Sequence, residues 1–298
     1  MIAATATKIQ FGNEVGLAAV TEAFNLGFQD YRYGTVFSPE QMEVFLHRSQ
    51  VALADCAVLI ADDGAQRAGP IGLALLGLQG ASAWCGGLAV APEARRLGGG
   101  RRLMQAIQQR AAAADAHEIW LEVLADNARA QALYQSLGYE TVRLLEVWER
   151  RPATGHPVAE IAGEGQLRSV PVDQVLDRIF TLQPVRPAWQ RSAPLVSSWR
   201  ERLQALQLVD EAGLALGHLL WYPLPGDPVE RGRIVALGVE AGAPGGTTEQ
   251  LLAGFAVTHD GITVSLLNEP AGSIWSPALV ATGFAVSERQ HEMRLGLG

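Results

Sequence analysis

Apolar positions along the chain recur at two periods, and each period predicts its element. Residues 7–11 (TKIQF) predict a first strand. Residues 14–27 predict a helix whose apolar side carries Val15, Leu17, Ala18, Thr21, Ala23 and Phe24. Ser38-Pro39-Glu40-Gln41 predicts a second helix start, with a serine cap, a proline in the first turn and a glutamine that can reach back. Strands follow at 57–61, 69–78 and 81–90, separated by Asp62-Asp63-Gly64 and Gln79-Gly80; such short connections make them an antiparallel meander. A helix runs from the glycines at 98–100 to about residue 114, and a strand follows at 119–124. A helix then begins near Asp126-Asn127 and ends at Gly138, and a strand over 139–150 completes a β-α-α-β-β-β-α-β-α-β order.

Residues 151–165 are rich in Pro, Gly and Ala, the composition of a linker. Beyond them the pattern partly repeats, with strands at 214–222, 234–239 and 262–267, a helix at 247–255, and a helical stretch ending at Gly283. LYQSLGY (133–139) and ALVATGF (278–284) superpose when their glycines are matched. This weak duplication predicts two related domains, 1–150 and 166–298.

Composition narrows the class. With 48% hydrophobic and 18% charged residues, the chain has the balance of a globular protein, and no run reaches the length of a membrane span. Residues 1–8 lack the features of a signal peptide. The net charge of −8 disfavours nonspecific nucleic-acid binding. Cys56 and Cys85 give no disulfide framework, and neither they nor the six histidines show metal-ligand spacing, so a cytoplasmic protein without a metal is expected.

The chemistry concentrates at RRLGGGRRLM, residues 95–104. Bare glycines between arginine pairs, opening a helix, form an anion site in which backbone N–H groups can approach a ligand closely. A nucleotide P-loop would need a lysine and a hydroxyl residue, and neither is present. A dinucleotide fingerprint would need a small residue at Leu103 and a parallel sheet ahead of the loop. Arg95, Gly98 and Gly100 instead fall at the spacing Arg/Gln, two residues, Gly, one residue, Gly/Ala. Leu121-Glu122-Val123, Asn127, Ala130, Leu133-Tyr134 and Gly138-Tyr139 follow. Together these resemble the acetyl-CoA signature of the GNAT superfamily of acyl-CoA-dependent N-acyltransferases, closely over residues 1–150 and vaguely beyond.

The resemblance implies an α/β (α+β) fold of two GNAT-like domains, each a mixed, mostly antiparallel sheet flanked by helices. It also implies acetyl-CoA as cosubstrate. The pyrophosphate would lie on the amides of Arg96, Leu97, Gly98, Gly99, Gly100 and Arg101, behind Arg95. The pantetheine arm would pair with Leu88, Ala89 and Val90 where two strands splay apart, and Gly86-Gly87 would ease a bulge there. Asn127, Ala130 and Tyr134 complete the cofactor side, with Arg101, Arg102 and Arg129 as candidates for the 3′-phosphate. Tyr134 would protonate the leaving thiolate, and a backbone N–H near Ala89 would meet the oxyanion. Glu122, directly or through water, is the first choice for the base.

Several of these residues also have plainer readings. Tyr134 alone would be a core aromatic, Asn127 a helix cap, Glu122 an ion-paired structural acid and Cys85 a small buried side chain. Phe28, Tyr31, Tyr33 and Phe37 either line the acceptor site or belong to the core. The acceptor is expected to be a small-molecule amine or a peptide N-terminus, with no nucleic acid or membrane partner. The second half looks degenerate, since Leu279 stands where Tyr134 does and residues 240–246 (EAGAPGG) lack the arginines. A non-catalytic acyl-CoA sensor, with the second half as output module, is the rival reading.

Overall fold

The computed structural model describes residues 6–32, 36–62, 69–152, 165–226 and 228–298. Tyr33, most of the Asp62-Asp63-Gly64 turn and most of the expected linker lie outside them. The chain forms two compact units, Met1–Val142 with Glu292–Gly298, and Arg143–His291.

In the first unit, β1 (Ala6–Phe11) leads into α1 (Gly12–Gly27), which bends at Gly16 (φ +82°), and then α2 (Pro39–Arg48). The expected cap of α2 forms, with Gln41 N–H donating to Ser38 Oγ (3.2 Å) and Ser38 N–H to Gln41 Oε1 (2.9 Å). β2 (Val51–Asp62), β3 (Gly69–Gln79) and β4 (Ser82–Val90) form the meander, and α3 (Gly99–Ala113), β5 (Glu118–Leu124), α4 (Ala128–Gln135) and the start of β6 (Glu140–Arg150) follow. The sheet order is β1-β2-β3-β4-β5, antiparallel except for the β4–β5 pair. β2 starts at Val51, several residues earlier than the strand expected at 57–61.

α3 buries Leu103, Met104, Ile107 and Ala111, one face of a 3.6-residue period, on Leu59, Leu76, Ile119 and Leu121. Met293 joins the same core, and Leu297 N–H donates to His117 O at 2.8 Å. The sequence places the domain boundary at residue 150. The compact units instead divide within β6, and the last seven residues of the chain belong to the first unit.

The second unit contains β7 (Gln166–Val170), α5 (Leu176–Thr181), α6 (Ala193–Ser197), β8 (Gln204–Val209), β9 (Ala215–Pro223), β10 (Arg231–Val239), α7 (Thr247–Thr258), β11 (Thr263–Pro270), α8 (Ser276–Ala281) and most of β12 (Ala285–Gly296). Its strands run in the order β6-β11-β10-β9-β8-β7, with only β10 and β11 parallel. Each unit is thus a mixed, mostly antiparallel sheet flanked by helices. β7, β8 and the two short helices escape the sequence pattern because they are brief, and β8 is buried along nearly its whole length and does not alternate.

The duplication is structural. Gly138 (φ +92°) and Gly283 (φ +85°) end equivalent helices, and Tyr139 N–H→Tyr134 O (3.1 Å) matches Phe284 N–H→Leu279 O (2.9 Å). In both units one parallel strand pair comes apart, after Trp84↔Trp120 in the first and after Ile234↔Leu266 in the second.

In the second unit the chain itself fills that gap. Arg191 donates through Nε to Val235 O on β10 (3.0 Å) and pairs with Glu269 on β11, with both side chains 3% exposed. Gln183 Nε2 donates to Leu237 O (2.6 Å). Glu240, at the end of β10, is paired with Arg178 and hydrogen-bonded to His218, and these partners hold its carboxyl down at about 2.

Candidate active site

In the first unit the gap stays open. β4 carries a bulge at Gly86, since Leu75 pairs with Gly87 but Leu76 with Cys85. A side chain at Gly86 would meet the ring of Trp84, whose Cζ3 lies 2.4 Å from the Cβ position. Beyond this point β4 no longer pairs with β5. A cavity of about 490 Å³ opens there. Leu88, Ala89 and Val90 of β4 line one part of it, and Arg95, Arg96, Gly98, Gly99, Gly100 and Arg101 another. Asn127, Arg129, Ala130 and Leu133 of α4 and its approach also line it, with Gly27 at the end of α1 and Phe28, Asp30 and Tyr31 after it.

The loop presents backbone to this space. Arg96 (φ +69°) and Gly98 (φ +81°) are left-handed, and Gly98 caps α3 without a side-chain acceptor. The first helical bond is Arg102 N–H to Gly98 O (3.1 Å), so the amides of Gly99, Gly100 and Arg101 have no intrahelical acceptor and sit at the positive end of the helix dipole. Gly99 has a packing reason of its own, because a Cβ there would lie 2.6 Å from Leu59 Cδ2.

The arginines divide. Arg101 donates to Ser136 Oγ (2.6 Å), and Arg102 to Thr7 O (2.8 Å) and Thr7 Oγ1. Arg95 donates to Val90 O, Gly27 O and both oxygens of Asp30. Among the described residues no group pairs with Arg96 or Arg129, and both are exposed at the cavity. Arg96 is the one of these two that the sequence did not single out for the 3′-phosphate.

Asn127 is both cap and wall: its Oδ1 accepts from Ala130 N–H (3.1 Å), and it lines the cavity. Tyr134 is buried in the core and does not line the cavity, with its ring 5.8 Å from that of Tyr139. Burial first, then Cys85, Tyr139 and Tyr31, push its phenol well above its ordinary value. Glu122 does not line the cavity; its Oε2 accepts from Trp84 Nε1 at 2.8 Å. Burial raises the Cys85 thiol to about 12, keeping it protonated. Leu97 is not among the residues that line the cavity and is 66% exposed.

Of the aromatic candidates, Phe28 and Tyr31 line the cavity. Phe37 stacks on Phe24 (5.1 Å) beside Phe45, its backbone pinned by two bonds of 2.9 Å to the Asn25 side chain. Gly27 and Asp30 join the cavity without a cue in the local sequence, whereas Leu133 belongs to the signature already read there.

Residues 19–139 match the Acetyltransferase (GNAT) family. The first unit is a GNAT acetyltransferase domain. Over the whole chain the fold is that of tandem GNAT proteins. One such protein, from the clavulanic acid biosynthesis pathway, superposes with a TM-score of 0.69 at 15% identity, covering 98% of this chain and 99% of that one. A GCN5-related N-acetyltransferase from Sphaerobacter thermophilus gives 0.71 at 18% identity, covering 100% and 97%. One from Anabaena variabilis gives 0.64 at 14%, covering 98% and 73%. These identities establish fold alone. No curated protein matches the sequence. The GNAT reaction is, in general, acetyl transfer from acetyl-CoA to an amine. Among the described residues no cluster of three or more potential metal ligands occurs, and no helix is long and apolar enough to cross a membrane.

Proposed function

We propose that the GNAT domain of the first unit is an active, acetyl-CoA-dependent N-acetyltransferase. A neutral amine attacks the thioester directly in a ternary complex. The observation that carries this reading is the convergence, on one cavity, of the unbonded helix-start amides, the unpaired edge of β4 and the free guanidinium groups of Arg96 and Arg129. A pyrophosphate, a pantetheine arm with its two amides and a 3′-phosphate call for these three features in turn.

In the reaction, the amine nitrogen bonds to the acetyl carbon, the carbon–sulfur bond breaks, and the sulfur keeps the electron pair. The N–H of Ala89, on the edge of β4, stabilises the developing oxyanion. Tyr134 gives its proton to the thiolate. Its burial fits this role, because the phenol stays neutral until a thiolate forms in the same desolvated setting. The amine's proton leaves through water, with Glu122 as the receiving carboxylate. The acceptor is a small amine or a peptide N-terminus, and the two free cysteines, both buried, are in keeping with a cytoplasmic setting.

The second unit keeps the fold without the site. Arg191 and Gln183 occupy the β10 carbonyls, and Glu240 puts a carboxylate where the first unit has its arginine-flanked loop. One acetyl-CoA per chain follows. A non-catalytic acyl-CoA sensor is favoured by one observation, that Tyr134 is buried in the core and does not line the cavity. CoA release from acetyl-CoA with a broad amine panel decides: turnover with any acceptor supports the enzyme, and tight binding without turnover supports the sensor.

A further inference from the structure

Arg95 opens the glycine motif, yet its donors are taken up by protein oxygens. Nε donates to Val90 O (2.8 Å), Nη1 and Nη2 each donate to an Asp30 oxygen (2.6 Å), and Nη2 also reaches Gly27 O (3.2 Å). A bidentate guanidinium–carboxylate pair is the most geometrically demanding kind of ion pair, and this one holds Asp30 below the usual carboxylate range. Two residues further on, Arg32 pairs with Asp126, next to the Asn127 cap of α4. Tyr31, between these two anchors, and Phe28, just before the first, line the cavity. Residues 28–32 are therefore tied through Asp30 to the loop after β4 and through Arg32 to the β5–α4 turn, 65 and 94 positions away in sequence.

We infer that residues 28–32 form a strap across the acyl-CoA cavity, and that Arg95 is a positioning residue that anchors it and not a phosphate ligand. The charge of Arg95 is already neutralised by Asp30, so the attraction for the anion comes from the backbone amides and from Arg96 and Arg129. The strap touches the cosubstrate cavity and carries two aromatic side chains, Phe28 and Tyr31, that line it and can meet an acceptor. Filling of the cavity and binding of the acceptor are therefore linked through one element, and the linkage is reciprocal. The strap itself stands on the ion pairs; its effect on the acceptor rests on the function proposed above.

Asp30→Asn tests it. Asp30 is half exposed, so the variant folds; Asp30→Glu is the conservative control. In the free protein, amide hydrogen exchange over 27–32 should rise several-fold in Asp30→Asn and stay near wild type in Asp30→Glu. Calorimetry with acetyl-CoA should give an unchanged or tighter Kd in Asp30→Asn, because a guanidinium is released beside the loop. With an acceptor found by the amine panel, its KM should rise by about tenfold, more than kcat falls. Wild-type exchange over 27–32 in Asp30→Asn, or a Kd weakened as much as in Arg96→Gln, overturns the strap. Loosened exchange in a protein that binds no acetyl-CoA leaves the strap in place and defeats the acetyltransferase reading instead.

Discussion

The indole of Trp84 donates to the carboxylate of Glu122 at 2.8 Å, from the last residue of β4 that still pairs with β5. The same ring lies over Gly86, so a single side chain accounts for the bare backbone at the bulge and for the setting of the one acid on β5 beyond the split. If Glu122 receives the amine's proton, Glu122→Gln should lower kcat by about 10²–10⁴-fold. Trp84→Phe keeps the carboxylate and should lose much less. Steady-state kinetics at saturating acetyl-CoA compares them, and equal losses would make the pair a framework contact.

Tyr134→Phe should reduce turnover by about 10²–10⁴-fold with acetyl-CoA affinity nearly intact. Because burial raises the phenol's pKa, the proton-bearing form persists to higher pH than in a free tyrosine. The kcat/KM profile should therefore show no alkaline limb from Tyr134 below about pH 10. A limb near neutrality that vanishes in Tyr134→Phe would contradict this assignment.

Substitutions along the glycine run should separate by cause. Gly98→Val strains a left-handed residue (φ +81°) and should weaken acetyl-CoA binding sharply. Gly99→Val meets Leu59 and should chiefly lower the melting temperature. Gly100 has its nearest neighbour, Leu133 Cδ2, at 3.4 Å from the Cβ position, so Gly100→Val should fold and obstruct the cavity. Calorimetry and thermal melts read the two effects, and unchanged affinity in both Gly98 and Gly100 variants would remove the loop from the site.

Arg191→Met leaves Glu269 buried and unpaired and should cost about 3–5 kcal/mol in urea unfolding, most of it restored by the double variant with Glu269→Leu. Titration of the intact chain should give one acetyl-CoA site. Two equivalent sites would show that the second unit's gap opens to ligand.

Deleting residues 292–298 should destabilise the first unit, because Met293 is fully buried in its core and Leu297 N–H bonds to His117 O. Loss of the Met293 side chain alone is worth about 2–5 kcal/mol. A fragment ending near residue 151 should expose apolar surface and aggregate. A soluble fragment with full activity would show that these residues are dispensable.

Features that depend on neighbouring residues are legible along the chain. Helix caps such as Ser38 with Gln41, the left-handed glycine at 138, and the run of amides opening α3 follow from local backbone chemistry. The equivalence of Tyr134 and Leu279 could be read for the same reason. Tertiary structure alone decided which charges are spent and which are free. The partner of Arg95 is Asp30, that of Glu122 is Trp84, and those of Arg191 are Val235 and Glu269. Each pair meets only when distant elements come together, so an arginine that anchors a strap and one that faces the cavity look alike in the sequence. The assignment of residues 292–298 to the first unit has the same origin. A strand's pattern fixes its two faces, but its neighbours are chosen by the packing of the whole sheet.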